Sequence, residues 1–73
     1  MKLKYNREDD VLIVETDTEG TLDRAEQTGS MIAHFSSENQ LLFIEILDAS
    51  EFISSLVKVA VRGQETQLPM AAR

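Results

Sequence analysis

The chain has no cysteine, no tryptophan, one histidine, one proline and three glycines among its 73 residues. Without thiols it has neither a disulfide staple nor a thiolate metal site, which suits a reducing compartment. A single histidine excludes a His–His metal site within one copy. With so few glycines there is no Gly-rich phosphate loop and no GxSxG elbow. No apolar run approaches the roughly 18 residues that a membrane span needs. The opening MKLKYNREDD lacks the apolar h-region of a signal peptide, so a cytoplasmic location is expected. Bases are scarce as well: seven against thirteen acids, a net charge of −6. Nucleic-acid affinity comes largely from basic contacts, so direct nucleic-acid binding is not expected. The acid excess suits a basic protein partner, or a surface that needs charge only to stay dispersed.

What is present is one domain's worth of patterned chain, with no disulfide to reinforce a core of this size. Met1 to Tyr5 alternates Met, Lys, Leu, Lys, Tyr, the period of a half-buried strand with Leu3 and Tyr5 inward. The charged turn NREDD leads to VLIVE at Val11–Glu15, whose four apolar residues predict a strand covered on both faces. TDTEG turns the chain into Thr21–Thr28, an edge strand whose Asp23, Arg24 and Glu26 discourage edge-to-edge pairing. Gly29 and Ser30 then lead into MIAHF, and the SSENQ loop leads into LLFIEIL at Leu41–Leu47. If that loop proper is Ser37 to Gln40, Ser36 lies opposite Leu41. Phe35 then pairs with Leu42, Ala33 with Ile44 and Met31 with Ile46, forming a core face. The opposite face carries Ile32, His34, Ser36, Leu41, Phe43 and Glu45.

The one helix is predicted from Asp48 to Arg62. It opens on a capping box in which Asp48 accepts from the amide three residues on and Glu51 reaches back. Gly63 is its C-cap. Glu51, Ser54, Ser55, Lys58 and Arg62 share one arc, and apolar residues fill roughly 200° of the circumference. A helix lying on one sheet needs only about 100°, so the surplus calls for a second surface. VKVAV at Val57–Val61 also alternates and is β-branched, which leaves strand open for that half. The expected architecture is α+β: an antiparallel sheet of four or five strands with one C-terminal helix packed on one face. Met31, Ala33, Phe35, Leu42, Ile44, Ile46, Phe52, Leu56 and Leu12 or Ile13 form the expected core. The domain is expected over 1–63, with a loose polar tail at 64–73.

Two pieces of this pattern, the opening Tyr5…Asp10-Val11-Leu12 and IEILDAS at Ile44–Ser50, resemble the YuzE-like family. These are small bacterial and archaeal proteins whose domain has no assigned function. The opening is similar to the family's Y-D-x-x-x-D-x-L, with Asn6 where the family prefers Asp. Ile13 stands where Tyr is frequent, and SSENQ lacks the usual Gly. The resemblance covers Lys2 to about Phe52. It implies a small antiparallel sheet with a C-terminal helix, often as the partner of a small toxin-like protein. It implies no catalytic residues.

Among candidate sites, Glu15, Asp17, Glu19, Asp23 and Glu26 with Gly20 match an EF-hand spacing. That motif needs flanking helices and an Asp at its first position. The sequence offers strands and Glu15, so an acidic turn is the cheaper reading, and neither metal nor cofactor is expected. Glu8, Asp9 and Asp10 read as a solvated acidic turn. His34 falls beside Phe43 and diagonal to Glu45, close enough for a His–carboxylate hydrogen bond. No spacing brings a nucleophile to the pair, so a structural pairing is favoured over acid–base chemistry.

Three readings follow. The first and favoured is a non-enzymatic, self-associating interaction module, a homodimer or higher homo-oligomer. A small basic partner, neutralised in the manner of an antitoxin, is the further expectation of this reading, and its candidate interface residues are Val57, Ala60 and Val61 on the helix and Ile32, Leu41 and Phe43 on the sheet. The second is self-association with no further partner. The third is a small-ligand or enzymatic domain using His34 and Glu45.

Overall fold

The computed structural model describes residues 1–63, so the polar tail expected at 64–73 lies outside the described residues. Five strands and one helix follow in order: β1 (Lys2–Asn6), β2 (Val11–Glu15), β3 (Leu22–Thr28), β4 (Met31–Ser36), β5 (Leu41–Leu47) and α1 (Ala49–Arg62). They form one antiparallel sheet of order β1-β2-β5-β4-β3. The most apolar strand, β5, is therefore central, flanked by β2 and β4. The polar strands β1 and β3 are the edges, where the unpaired side of the backbone meets water.

The pairing sorts the side chains into two faces. On one, Tyr5, Leu12, Ile46 and Met31 form a row across the sheet, and Leu3, Val14, Ile44 and Ala33 form the next. Ile46 and Ala49 are buried there, with Leu12, Val14, Met31, Ile44 and Phe52 packed around them. The choice between Leu12 and Ile13 falls to Leu12. The other face carries Lys4, Ile13, Glu45 and Ile32 in one row and Lys2, Glu15, Phe43 and His34 in the next.

VKVAV is helical, and α1 runs unbroken to Arg62. The apolar stripe and the Gly63 stop decide this against the β-branched alternation. Gly63 is left-handed (φ 66°) and its N–H donates to the Val59 carbonyl (2.8 Å).

Several expectations are corrected. Leu3 and Tyr5 point to the helix side as expected, but β1 is an edge and both are exposed, Leu3 at 63%. Leu56, expected in the core, is 45% exposed, because the covered side of α1 runs through Ala49, Phe52, Ser55 and Val59 instead. Phe35 pairs with Leu41 rather than Leu42, through a register shift after His34. The extra residue on β5 sits where Thr16 crosses the strand. The Thr16 backbone N–H donates to the Leu42 carbonyl, and its hydroxyl lies 3.0 Å from the carbonyls of both Leu41 and Leu42. A two-against-one step of this kind is a β-bulge. VLIVE is half-buried along its whole length rather than fully covered.

The β4–β5 loop is organised on Ser36, which is fully buried. Its Oγ accepts from the amides of Glu38 and Gln40, both at 3.2 Å. A Cβ at Gly20 would stand 3.0 Å from the Ser36 Cβ, so the β2–β3 loop closes over this hydroxyl. Ser36→Ala is expected to cost about 1–3 kcal/mol by leaving two loop amides without their acceptor. Chemical denaturation measures it, and an unchanged midpoint would show that water replaces the hydroxyl.

Candidate functional site

The face that α1 does not cover holds the His34–Glu45 pair. His34 stands directly opposite Phe43 on β5, and Glu45 lies two residues further on that strand. The His34 ring stacks on Phe43 with centroids 4.1 Å apart and planes 13° from parallel. Its Nε2 lies 2.7 Å from Glu45 Oε1. Stacking and the carboxylate together fix the ring, leaving the His34 side chain 15% exposed and that of Glu45 31%. Lys4 and Glu15 stand beside them, joined at 3.0 Å. This hydrogen bond holds the Glu15 carboxyl below the usual range.

Chemically, the pair can hold or pass a proton at Nε2. The two rows around it contribute Lys, Ile, Glu, Phe and His, with Gln27 and Ala25 completing them at β3. No hydroxyl or thiol stands among them to act as a nucleophile. An open hollow among the described residues lies elsewhere, on the polar arc of α1, lined by Ser50, Glu51, Ser54, Ser55 and Lys58.

A second constellation joins the β1–β2 turn to the start of the helix. Asn6 Oδ1 accepts from the amides of Glu8 (3.0 Å) and Asp9 (3.2 Å), closing the turn. Asp10 follows in the left-handed region (φ 56°), which Asp tolerates better than most residues. Its carboxylate then meets three donors. The Tyr5 hydroxyl donates to Oδ1 at 2.7 Å, the Ser50 amide to Oδ1 at 3.0 Å and the Ser50 hydroxyl to Oδ2 at 2.7 Å. The Ala49 amide donates to the Asp10 carbonyl at 2.9 Å.

Asp10 is thus the residue that caps α1, across 40 positions of sequence. Asp48 does not perform the capping expected of it. It is itself left-handed (φ 51°) and makes no side-chain cap bond, whereas a capping residue needs the extended region to aim its oxygen at the first amides. The hydrogen bonds from Tyr5 and Ser50 hold the Asp10 carboxyl below the usual range. The same bond to Asp10 pushes the Tyr5 phenol up.

Sequence reasoning placed Asp10 in a solvated turn because no local spacing ties it to Ser50. The available signal was compositional. Tyr5, Asp10 and Ser50 are drawn from the two segments that carry the family resemblance, and they meet in space.

The remaining candidates separate. Glu15 lies in β2 and Glu26 in β3, each in an ion pair with a base, Lys4 and Arg24 respectively. Among the described residues no three His, Asp or Glu side chains gather closely enough to hold one ion. Of the six interface candidates, Ile32, Leu41 and Phe43 are half-buried in the sheet, and Val57, Ala60 and Val61 are exposed on the helix. No helix among the described residues is long and apolar enough to cross a membrane.

No curated protein and no solved structure matches the chain. A family model does: DUF2283, a protein family of unknown function, over residues 2–50. The match runs from β1 through the five strands and ends on Ser50, the residue that Asp10 holds. Covering well over half of the chain, it places this protein in that family of unknown function.

Proposed function

We propose that this domain is a non-catalytic, self-associating protein-interaction module, with a second copy of itself as its first partner. The observation that carries the reading is the helix. Ile53, Leu56, Val57 and Val61 lie on one side of α1, and all four are exposed, Val57 at 53% and Val61 at 76%. Water-exposed apolar residues at 3–4-residue spacing are the anchors a helix offers to a facing surface. Monomers rarely keep such a patch contiguous in water. A two-fold dimer, burying the same patch on both copies, is the commonest closed arrangement.

Sedimentation at micromolar concentration tests this. The wild type sediments as a dimer, and Val57→Asp raises the dissociation constant by about a hundredfold or more by burying an unpaired carboxylate. A single species of about 8.2 kDa for the wild type would sink the reading.

A small basic protein as the second partner is supported by the net charge of −6 and by the resemblance to the YuzE-like family. Co-expression with the product of the adjacent gene tests it, and a basic product that does not co-purify would count against it. The enzymatic alternative through His34 and Glu45 has weaker support, because the imidazole is engaged by Glu45 and Phe43 and no nucleophile stands in the neighbouring rows.

A further inference from the structure

β1 is amphipathic, yet its apolar side is uncovered. Leu3 and Tyr5 lie on the face that carries α1, and both are exposed, although the alternation of MKLKY is that of a strand covered on one side. The helix is uncovered on the same flank. Ser50 meets Asp10, and through it Tyr5 of β1. Val57 and Val61 follow Ser50 by seven and eleven residues, which at 3.6 residues per turn sets both within about 20° of its bearing around the helix. Both are exposed, so the uncovered apolar side of α1 is turned to the β1 edge.

The backbone of that edge is in register to pair with itself. The Thr16 N–H donates to the Leu42 carbonyl, and by alternation Val14 and Leu12 also bond β5. Glu15, Ile13 and Val11 then bond Lys2, Lys4 and Asn6 of β1. The N–H and C=O groups of Leu3 and Tyr5 are left pointing out from the sheet.

From this arrangement we propose that two copies pair edge to edge through β1, antiparallel, about a two-fold axis at Lys4. Leu3 then stands opposite the partner's Tyr5 and Tyr5 opposite the partner's Leu3, each pair exchanging both backbone hydrogen bonds. The two five-stranded sheets become one, with both helices on the same face and their apolar sides turned to the seam. Leu3 and Tyr5 of both copies form the floor between them. This rests on the self-association proposed above and deepens it, adding β1 to the contact and fixing the partner's orientation. On the other face Lys4 meets the partner's Lys4. Like charges directly opposite cost stability, but each is held by its own Glu15 at 3.0 Å.

The β3 edge is guarded against the same pairing. The Leu47 N–H donates to the Ser30 carbonyl, so Met31 bonds β3, and alternation leaves Ala25 and Gln27 pointing outward. Pairing Ala25 with the partner's Gln27 sets Glu26 against the partner's Glu26. A register centred on Ala25 instead meets the bulge between Leu22 and Arg24, a device that blunts edges. With one open edge among the described strands, assembly stops at two copies.

Amide hydrogen exchange of the full-length chain tests the pairing. In the dimer the Leu3 and Tyr5 amides are expected to exchange about tenfold or more slowly than those of Ala25 and Gln27, and to lose that protection on dilution to monomer. Leu3→Pro removes an outward N–H and leaves the β1–β2 bonds in place, a change that an edge strand tolerates. It is expected to raise the dimer dissociation constant about tenfold or more. Ala25→Pro removes an outward N–H from β3 and is expected to leave the constant unchanged. Circular dichroism confirms that both variants keep the fold.

A wild-type dimer whose Leu3 and Tyr5 amides exchange as fast as those of Ala25 and Gln27 would overturn the strand pairing and leave self-association standing. A dimer that Leu3→Pro weakens no more than Ala25→Pro overturns it as well. A monomeric wild type overturns the self-association itself.

Discussion

Ile46→Ala is expected to cost a large share of the domain's stability. Ile46 is 5% exposed, and with Ala49 it forms the core of the described residues, surrounded by side chains from β2, β4, β5 and α1. Removing three carbons from such a site costs roughly 2–5 kcal/mol, the spread reflecting how far the surroundings collapse. A 73-residue domain at about 0.05–0.15 kcal/mol per residue has a total of roughly 4–11 kcal/mol. The single truncation therefore removes a large share of the stability, and all of it only where the total lies near the bottom of that range and the cost near the top of its own. Ile46→Val, which keeps most of the volume, is expected to cost about 0.5–1.5 kcal/mol. Thermal and urea unfolding followed by circular dichroism measure both. An Ile46→Ala protein melting within a few degrees of wild type would mean that the stability resides elsewhere, in an interface between copies for example.

The sheet was legible because its strands differ in kind. MKLKY alternates, VLIVE and LLFIEIL are nearly continuous, and LDRAEQT is charged, which marks β3 as an edge but leaves β1, the other edge, reading as half-buried. The His34–Glu45 pair was legible for the same reason: a short hairpin loop fixes register, and register fixes which side chains are neighbours. The same argument fails one residue later, at Phe35. The bulge opposite Phe35 depends on Thr16, from another hairpin, bonding the carbonyls of Leu41 and Leu42.

The helix shows a similar division. Its limits followed from the apolar period and Gly63, but the residue that caps it did not. Asp48-x-x-Glu51 is a plausible local capping box, and a carboxylate 40 residues away displaces it. Contacts of that separation leave no mark in local spacing. The exposure of Leu56 was hidden by a related limit. An apolar stripe records that a surface is to be covered, without recording whether the cover is the chain's own sheet or another molecule.

The other large effect is expected at the Asp10 clamp. Asp10→Ala removes the acceptor of three hydrogen bonds, from Tyr5 and from the amide and hydroxyl of Ser50. It also replaces a residue in the left-handed region with one that disfavours it. Ala49 is the one fully buried residue of α1, with Phe52, Ser55 and Val59 half-buried along the same side, and the clamp adds a polar attachment at the start of the helix. Amide hydrogen exchange over 49–53 is expected to accelerate strongly, with the strand amides of β4 and β5 changing far less. Asp10→Asn, which retains an acceptor and tolerates the backbone conformation, is expected to fall between the two. The clamp is pH-dependent at both ends. Because the Asp10 carboxyl is held below its ordinary value, its contribution is present above the unfolded pKa and is lost as pH falls through the lower folded one. Because the Tyr5 phenol is pushed up, its contribution is present below the unfolded pKa and is lost as pH rises through the higher folded one. Helix protection is therefore expected to be greatest between these limits, with Tyr5→Phe abolishing the alkaline loss that the phenol causes and leaving the acid loss in place. Equal acceleration in helix and strands for Asp10→Ala would show that the clamp supports the whole sheet rather than the attachment of the helix.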